Sequence, residues 1–143
     1  MISNFKGKHY FLSNFYSAQV MYEGLLYKNN ESAFQSAKVK DLERRKQFCE
    51  LDPSTAKRKR RNVLLRQDWK NVKDEVMYQC VKDKFTRNLD LKQKLLDTGN
   101  EELIEGNTWN DTYWGVCRGR GKNMLGKILM KVREELKQMW NWS

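Results

Sequence analysis

The feature that most constrains this chain is that it holds one proline in 143 residues. Proline removes a backbone donor and clashes with the preceding helical turn, so it is the strongest stop signal a helix can meet. With only Pro53 to interrupt windows rich in Lys, Glu and Leu, the sequence reads as mostly helical. Pro53 itself marks a restart, with Asp52 as N-cap and Pro53 at the first helical position.

The remaining elements follow from periodicity. Val20-Met21-Tyr22 and Leu25-Leu26-Tyr27, joined by Glu23-Gly24, read as an N-terminal hairpin that delivers the chain to a short helix capped by Asn30 and running through Lys38. A second helical window spans 41 to 51, with Leu42 and Phe48 as its apolar points. The central packing helix spans about 70 to 87 on Val72, Val76, Cys80 and Phe85. Leu89 to Thr98 is a further helix stopped by Gly99, and Leu103-Ile104-Glu105 reads as a short strand. The last helix keeps helical spacing through Leu125, Ile128, Leu129, Val132, Leu136 and Met139. The expected class is α+β, mostly α, in one domain over 1-143, with no internal repeat or linker.

Charge and residue counts narrow the function classes. There are 28 Lys+Arg against 18 Asp+Glu, a net +10 that predicts attraction to phosphate in a nucleic acid or a small ligand. Cys49, Cys80 and Cys117 are odd in number and form no C-x-x-C pair, which points to a reducing compartment. His9 is the sole histidine, which excludes two-His zinc motifs, so no metal and no cofactor is expected. No apolar run approaches 18 residues and nothing reads as a signal peptide, so a soluble, cytoplasmic chain without a membrane is expected. Nothing in the sequence bears on oligomeric state.

Four stretches carry chemistry. In Asn29 to Lys38, Glu31, Gln35 and Lys38 (i, i+4, i+7) form a polar stripe beside the apolar patch of Ala33, Phe34 and Ala37. That stripe is either a pocket edge holding a carboxylate, an amide and an amine or an ordinary solvated face. Lys57 to Arg61 are five consecutive cations that cover every side of a helix, and serve as a solvated turn or as one or two phosphate contacts. Asn107 to Gly115 sets Trp109, Tyr113 and Trp114 among Asn110 and Asp111, either as core aromatics in a tight loop or as walls for a flat ring. Gly119-Arg120-Gly121-Lys122-Asn123 precedes the last helix, where backbone N–H groups and two cations suit an anion, although this is no P-loop. Asn14, in Phe11-Leu12-Ser13-Asn14-Phe15-Tyr16, bonds its own loop or a ligand.

Taken together, Phe11 to Phe15 (FLSNF), Glu31 to Lys38 (ESAFQSAK), Arg66 to Trp69 (RQDW), Lys84-Phe85, Thr98-Gly99, Glu105, Asn110 to Gly115 (NDTYWG), Gly121 to Gly126 (GKNMLG), Leu129-Met130 and Arg133 resemble the NADAR (YbiA-like) family. They follow the family's order over nearly the whole chain. The chain departs from the family's pattern at Arg60-Arg61, where relatives often carry Gly-Arg, and in a shorter connector after it.

The resemblance implies a compact, mostly helical fold with a few short strands and a pocket for a phosphorylated ribosyl compound. It implies an N-glycosidase acting on a ribosylamino-pyrimidine phosphate of riboflavin synthesis, or on ADP-ribose attached to guanine, which could be carried on nucleic acid. Glu31 corresponds to the family's essential carboxylate, and Asn14, Lys38, Asp111 and Trp114 match other pocket positions. On that basis Glu31, Lys38 and Asp111 are the catalytic candidates, and Asn14, Phe15, Gln35, Arg66, Trp69, Trp114 and Gly115 the substrate contacts. Arg120, Gly121, Lys122 and Asn123, then Arg61, are the phosphate contacts. Two rival readings are a non-catalytic basic protein that binds nucleic acid or ADP-ribose and a relative that has lost turnover. Charge alone would not require Glu31, Gln35 and Lys38 on one helix.

Overall fold

The computed structural model describes residues 1–59 and 64–142, the side chains of 140–142 excepted. The chain divides into two compact units, Asn14–Asn88 and Met1–Ser13 with Leu89–Ser143. No helix among the described residues is long and apolar enough to cross a membrane.

In the Asn14–Asn88 unit, β1 (Ser17–Tyr22) and β2 (Leu25–Asn29) form the antiparallel hairpin, with Tyr22 opposite Leu25. Its two-residue turn has Glu23 at φ 45° and Gly24 at φ 86°, the left-handed pair that such a tight connection requires. Helix α1 (Asn30–Ser36) follows directly, then α2 (Leu42–Lys46), α3 (Pro53–Lys59) and α4 (Trp69–Arg87). Strand β1 packs on α4 and β2 on α1, with Val20 and Tyr27 both essentially unexposed. Asp83 Oδ2 accepts from Met21 N (2.7 Å), and Asn88 Nδ2 donates to Gln19 O (2.9 Å), pinning β1 to the end of α4.

Three expectations change here. Asn29 rather than Asn30 is the N-cap of α1: its φ of −159° is extended, and its side chain accepts from Ser32 N (2.8 Å). Lys38 lies beyond the C-cap Ala37, with its N–H bonded to Gln35 O (3.2 Å), so it extends the helix by a turn without belonging to it. The 41 to 51 window shrinks to α2. Phe48 is fully buried just after it, while Leu42 faces solvent. The Asp52-Pro53 restart holds, with Asp52 Oδ2 accepting from Thr55 N (3.1 Å).

The other unit opens with a 3-10 helix (Gly7–Leu12) and contains α5 (Leu89–Asp97), β3 (Gly106–Asn107), β4 (Val116–Cys117) and α6 (Met124–Trp142). Helices α5 and α6 pack through Leu91, Leu95, Leu129, Val132 and Leu136, whereas Met139 at the end of the stripe is half exposed. Arg133 Nη1 donates to Thr98 Oγ1 (2.9 Å) and Lys137 Nζ to Gly99 O (3.0 Å), holding the end of α5, where Gly99 sits at φ 64°. The strand expected at 103 to 105 is instead a parallel bridge between Leu103 and Ile2, and β3, which pairs with β4 in parallel, begins just after it.

Candidate functional site

Every residue of α1 is buried, which removes the solvated-face reading of its polar stripe. Asn29 Nδ2 and Ser32 Oγ both donate to Leu51 O (2.9 Å each), and Ser36 Oγ donates to Tyr27 Oη (2.8 Å). These bonds satisfy polar groups that would otherwise be costly to bury. Burial also pushes the Tyr27 phenol up to about 12.

Glu31 stands in the first helical turn at 7% exposure, and its N–H donates to Asn14 O (3.0 Å). Its carboxylate Oε1 accepts from Gln35 Nε2 (2.8 Å), one helical turn on, as i, i+4 geometry demands. Gln35 is itself buried, and its Oε1 has no hydrogen-bond partner among the described residues. Asn14 packs on the same helix: its Oδ1 accepts from Asn30 Nδ2 (2.7 Å), and both amides approach Met77 Sδ on α4.

Lys38 is brought to an aromatic wall. Its Nζ lies 5.9 Å from the Phe34 ring centroid and 5.8 Å from that of Trp69, and the two rings are 5.1 Å apart. Arg66 closes this edge through its N–H to Lys38 O (2.8 Å). Its guanidinium grips Asp68 in a fork (2.6 and 2.9 Å), which holds the Asp68 carboxyl below its usual range. Arg66 therefore has a carboxylate partner of its own. Phe15 sits under Lys57 Nζ (5.8 Å to the centroid), while Lys59 lies over Phe48 and Arg58 reaches Thr55 Oγ1, so the basic run points in several directions. Arg60 and Arg61 lie outside the described residues.

In the other unit, Asp111 organises the aromatic loop. Its Oδ1 accepts from Tyr113 N (3.1 Å) and Trp114 N (2.9 Å), and Asn107 binds its backbone from both ends of the amide. Trp114 stacks edge-on against Tyr113 (4.9 Å). Gly115 is where it must be, because a Cβ there would run into the Glu105 carboxylate and carbonyl, and one at Gly121 would meet Gly115 O.

The anion site expected at the start of α6 is differently built. The N–H groups of Lys122, Asn123, Met124 and Leu125 donate to the carbonyls of Thr112, Gly115, Tyr113 and Trp114 (2.8 to 3.3 Å). Asn123 spends its side chain on Glu105 N and Leu103 O (2.9 Å each). These donors hold the 112–115 loop, so the backbone N–H groups expected to face an anion are already taken. The cations expected beside them separate: Lys122 Nζ lies over the Tyr113 ring (5.3 Å), while Arg120 lines a hollow with Arg118.

Sequence reasoning placed Lys84 in a segment that resembles the family but gave it no role; its amine is buried on α4, 5.7 Å from the Tyr16 centroid and 5.0 Å from that of Phe85. Desolvation pulls its pKa from 10.5 down to about 7. The signal was present, since position 84 continues the Val76 and Cys80 face at i+8 and i+4. Among the described residues no cluster of His, Cys, Asp and Glu is grouped to hold a metal ion.

The family model described as the NADAR domain matches residues 3–137. The chain is 37% identical over 134 residues to a riboflavin biosynthesis protein of Vibrio vulnificus, covering 91% of this chain and 36% of that one. It is 36% identical over 128 residues to N-glycosidase YbiA of Escherichia coli (strain K12), covering 87% of this chain and 79% of that one. The solution structure of E. coli YbiA superimposes with a TM-score of 0.84 at 31% identity, over 97% of this chain and 88% of that one.

Proposed function

This chain belongs to the NADAR domain family and is an N-glycosidase, and we propose that the bond it cleaves is the C1'–N bond of a phosphorylated ribosyl compound. The observation that carries this reading is the buried Glu31 carboxylate, held by Gln35 Nε2 at 2.8 Å inside a helix with no exposed residue. Cleaving such a bond builds positive charge at C1' and negative charge on the departing nitrogen. A carboxylate in a low-dielectric setting stabilises that cation strongly and accepts the proton of the water that adds to C1'. The Lys38 ammonium gives a proton to the leaving nitrogen, and solvent resets both groups. The unpartnered Oε1 of Gln35 is an acceptor suited to a sugar hydroxyl. Asp111, with one oxygen already engaged by two backbone amides, is assigned to positioning the loop that carries Trp114.

The riboflavin biosynthesis name of one relative supports a ribosylamino-pyrimidine phosphate over ADP-ribosylated guanine. Incubation with each, followed by mass detection of ribose 5-phosphate or ADP-ribose, decides the substrate. Glu31→Gln keeps an acceptor oxygen for Gln35 but removes the charge, so folding is expected to survive while the rate falls at least about a hundredfold. A folded Glu31→Gln protein turning over near the wild-type rate would refute the assignment.

A further inference from the structure

We propose that the hollow between the Asn110–Thr112 and Cys117–Arg120 segments binds the phosphate of a phosphorylated ribosyl compound, with Arg118 and Arg120 as its cationic contacts. The hollow has a volume of about 410 Å3 and is lined by Asn110, Thr112, Cys117, Arg118 and Arg120. That volume falls in the roughly 300–1,000 Å3 range of small-molecule sites, with room for a sugar beside the phosphate.

The backbone fixes its form. Cys117 N donates to Arg120 O (2.8 Å) and Arg120 N to Cys117 O (3.1 Å), closing a tight turn with Arg118 at φ 54° and Gly119 at φ 75°. Across the hollow, Asn110 is also left-handed at φ 64°. A left-handed backbone at a bulky residue such as arginine is uncommon and costs energy. Here it lets both arginines of one four-residue turn line the same hollow. The floor is the buried Cys117, whose Sγ lies 3.8 Å from Asn110 Oδ1.

The charges are unspent. Arg45, Arg66 and Arg87 each pair with a carboxylate, whereas among the described residues neither Arg118 nor Arg120 has an ion pair or a side-chain hydrogen bond. Two guanidinium forks with no internal partner match phosphate oxygens, and the Thr112 hydroxyl and Asn110 amide offer neutral contacts for the rest of the ligand. The choice of a ribosyl phosphate rests on the function proposed above, while the anion preference rests on the arginines alone.

The test is calorimetric titration of the full chain with ribose 5-phosphate, ribose and a short single-stranded oligonucleotide, with amide NMR shifts to locate binding. Ribose 5-phosphate is a product of the proposed reaction and carries no C1'–N bond for the protein to cleave during the titration. Shifts are expected at residues 110–120. Arg118→Gln and Arg120→Gln, both at exposed side chains, are each expected to weaken binding about tenfold or more, as for loss of a charged hydrogen bond. Arg44→Gln, at an exposed side chain paired with Asp41, is expected to leave it unchanged. Ribose binding as tightly as its phosphate, or full affinity in both variants, overturns the proposal. An oligonucleotide that binds through these arginines when ribose 5-phosphate does not overturns the ligand class and marks a nucleic-acid surface. Arginine-dependent binding in a protein that cleaves no ribosyl substrate sinks the N-glycosidase reading alone. Turnover with arginine-independent binding sinks this inference alone.

Discussion

Replacing Lys84 with methionine removes a buried charge at nearly constant volume and is expected to flatten part of the pH dependence of stability. The folded state holds this amine near pKa 7, against an ordinary 10.5, by desolvation at 1% exposure. That difference of roughly 3.5 pK units corresponds to about 5 kcal/mol in favour of the neutral form. Below pH 7 both states carry the proton and the effect is constant. Between pH 7 and 10.5 the unfolded chain binds more protons than the folded one, so stability rises with pH by about 1.4 kcal/mol per pH unit. Approaching pH 9 the cysteines Cys49 and Cys80, and above it the tyrosines Tyr22 and Tyr27, whose pKa values burial raises, bind more protons folded than unfolded and oppose the slope; they do so in both proteins, so the difference between the two isolates Lys84. Urea unfolding followed by far-UV circular dichroism at pH 7, 8 and 9 measures this directly. The wild type is expected to gain some 2 to 3 kcal/mol relative to Lys84→Met across that range. Parallel curves for the two proteins would show that Lys84 titrates normally and that the desolvation argument fails.

Two further outcomes follow from the geometry. If the Lys38 amine attacks ring-opened ribose, borohydride reduces the resulting iminium, so mass spectrometry should find a ribosyl adduct in the wild type and none in Lys38→Ala; an adduct persisting in that variant would exclude this lysine. Gly115→Ala forces a Cβ against Glu105 and should cost about 3 kcal/mol or more, whereas Gly119→Ala, in open space at φ 75°, should cost only about 1 kcal/mol; equal shifts in Tm would show that the close approach at Gly115 relaxes freely.

The elements that announced themselves in the sequence are those whose local chemistry and tertiary surroundings agree. Glu23-Gly24 supplies two left-handed residues between alternating strands, Asp52-Pro53 supplies a cap and a fixed φ, and α6 has one apolar stripe with charge on its other side. Periodicity failed where burial is not one-sided. Helix α1 has no exposed face, so its polar residues gave the same pattern as a solvated stripe would. Lys84 was passed over because a lysine in a helical pattern is read as surface. The cap moved from Asn30 to Asn29 because Asn14 holds the Asn30 amide, a contact 16 residues away that no local rule contains. The amides at the start of α6 looked available to an anion, and the loop that takes them lies 8 to 11 residues upstream.

That one-sidedness test also bears on function. Helix α1 is seven residues long and wholly buried, yet Asn30, Glu31, Ser32, Gln35 and Ser36 are all polar. A helix serving only to fill a core would be apolar at those positions, since burying polar groups gains little even when they are paired. Here the pairing is incomplete: among the described residues Asn30 Oδ1 and Gln35 Oε1 accept nothing, at a cost of about 1–3 kcal/mol for each such group. Gln35 is also the residue that orients the Glu31 carboxylate. The unsatisfied acceptor and the carboxylate proposed to act at C1' thus belong to residues joined by one hydrogen bond. Unsatisfied polarity concentrated there suits the sugar site proposed above, because a hydroxyl arriving with a substrate would complete the bonding that the folded chain leaves open.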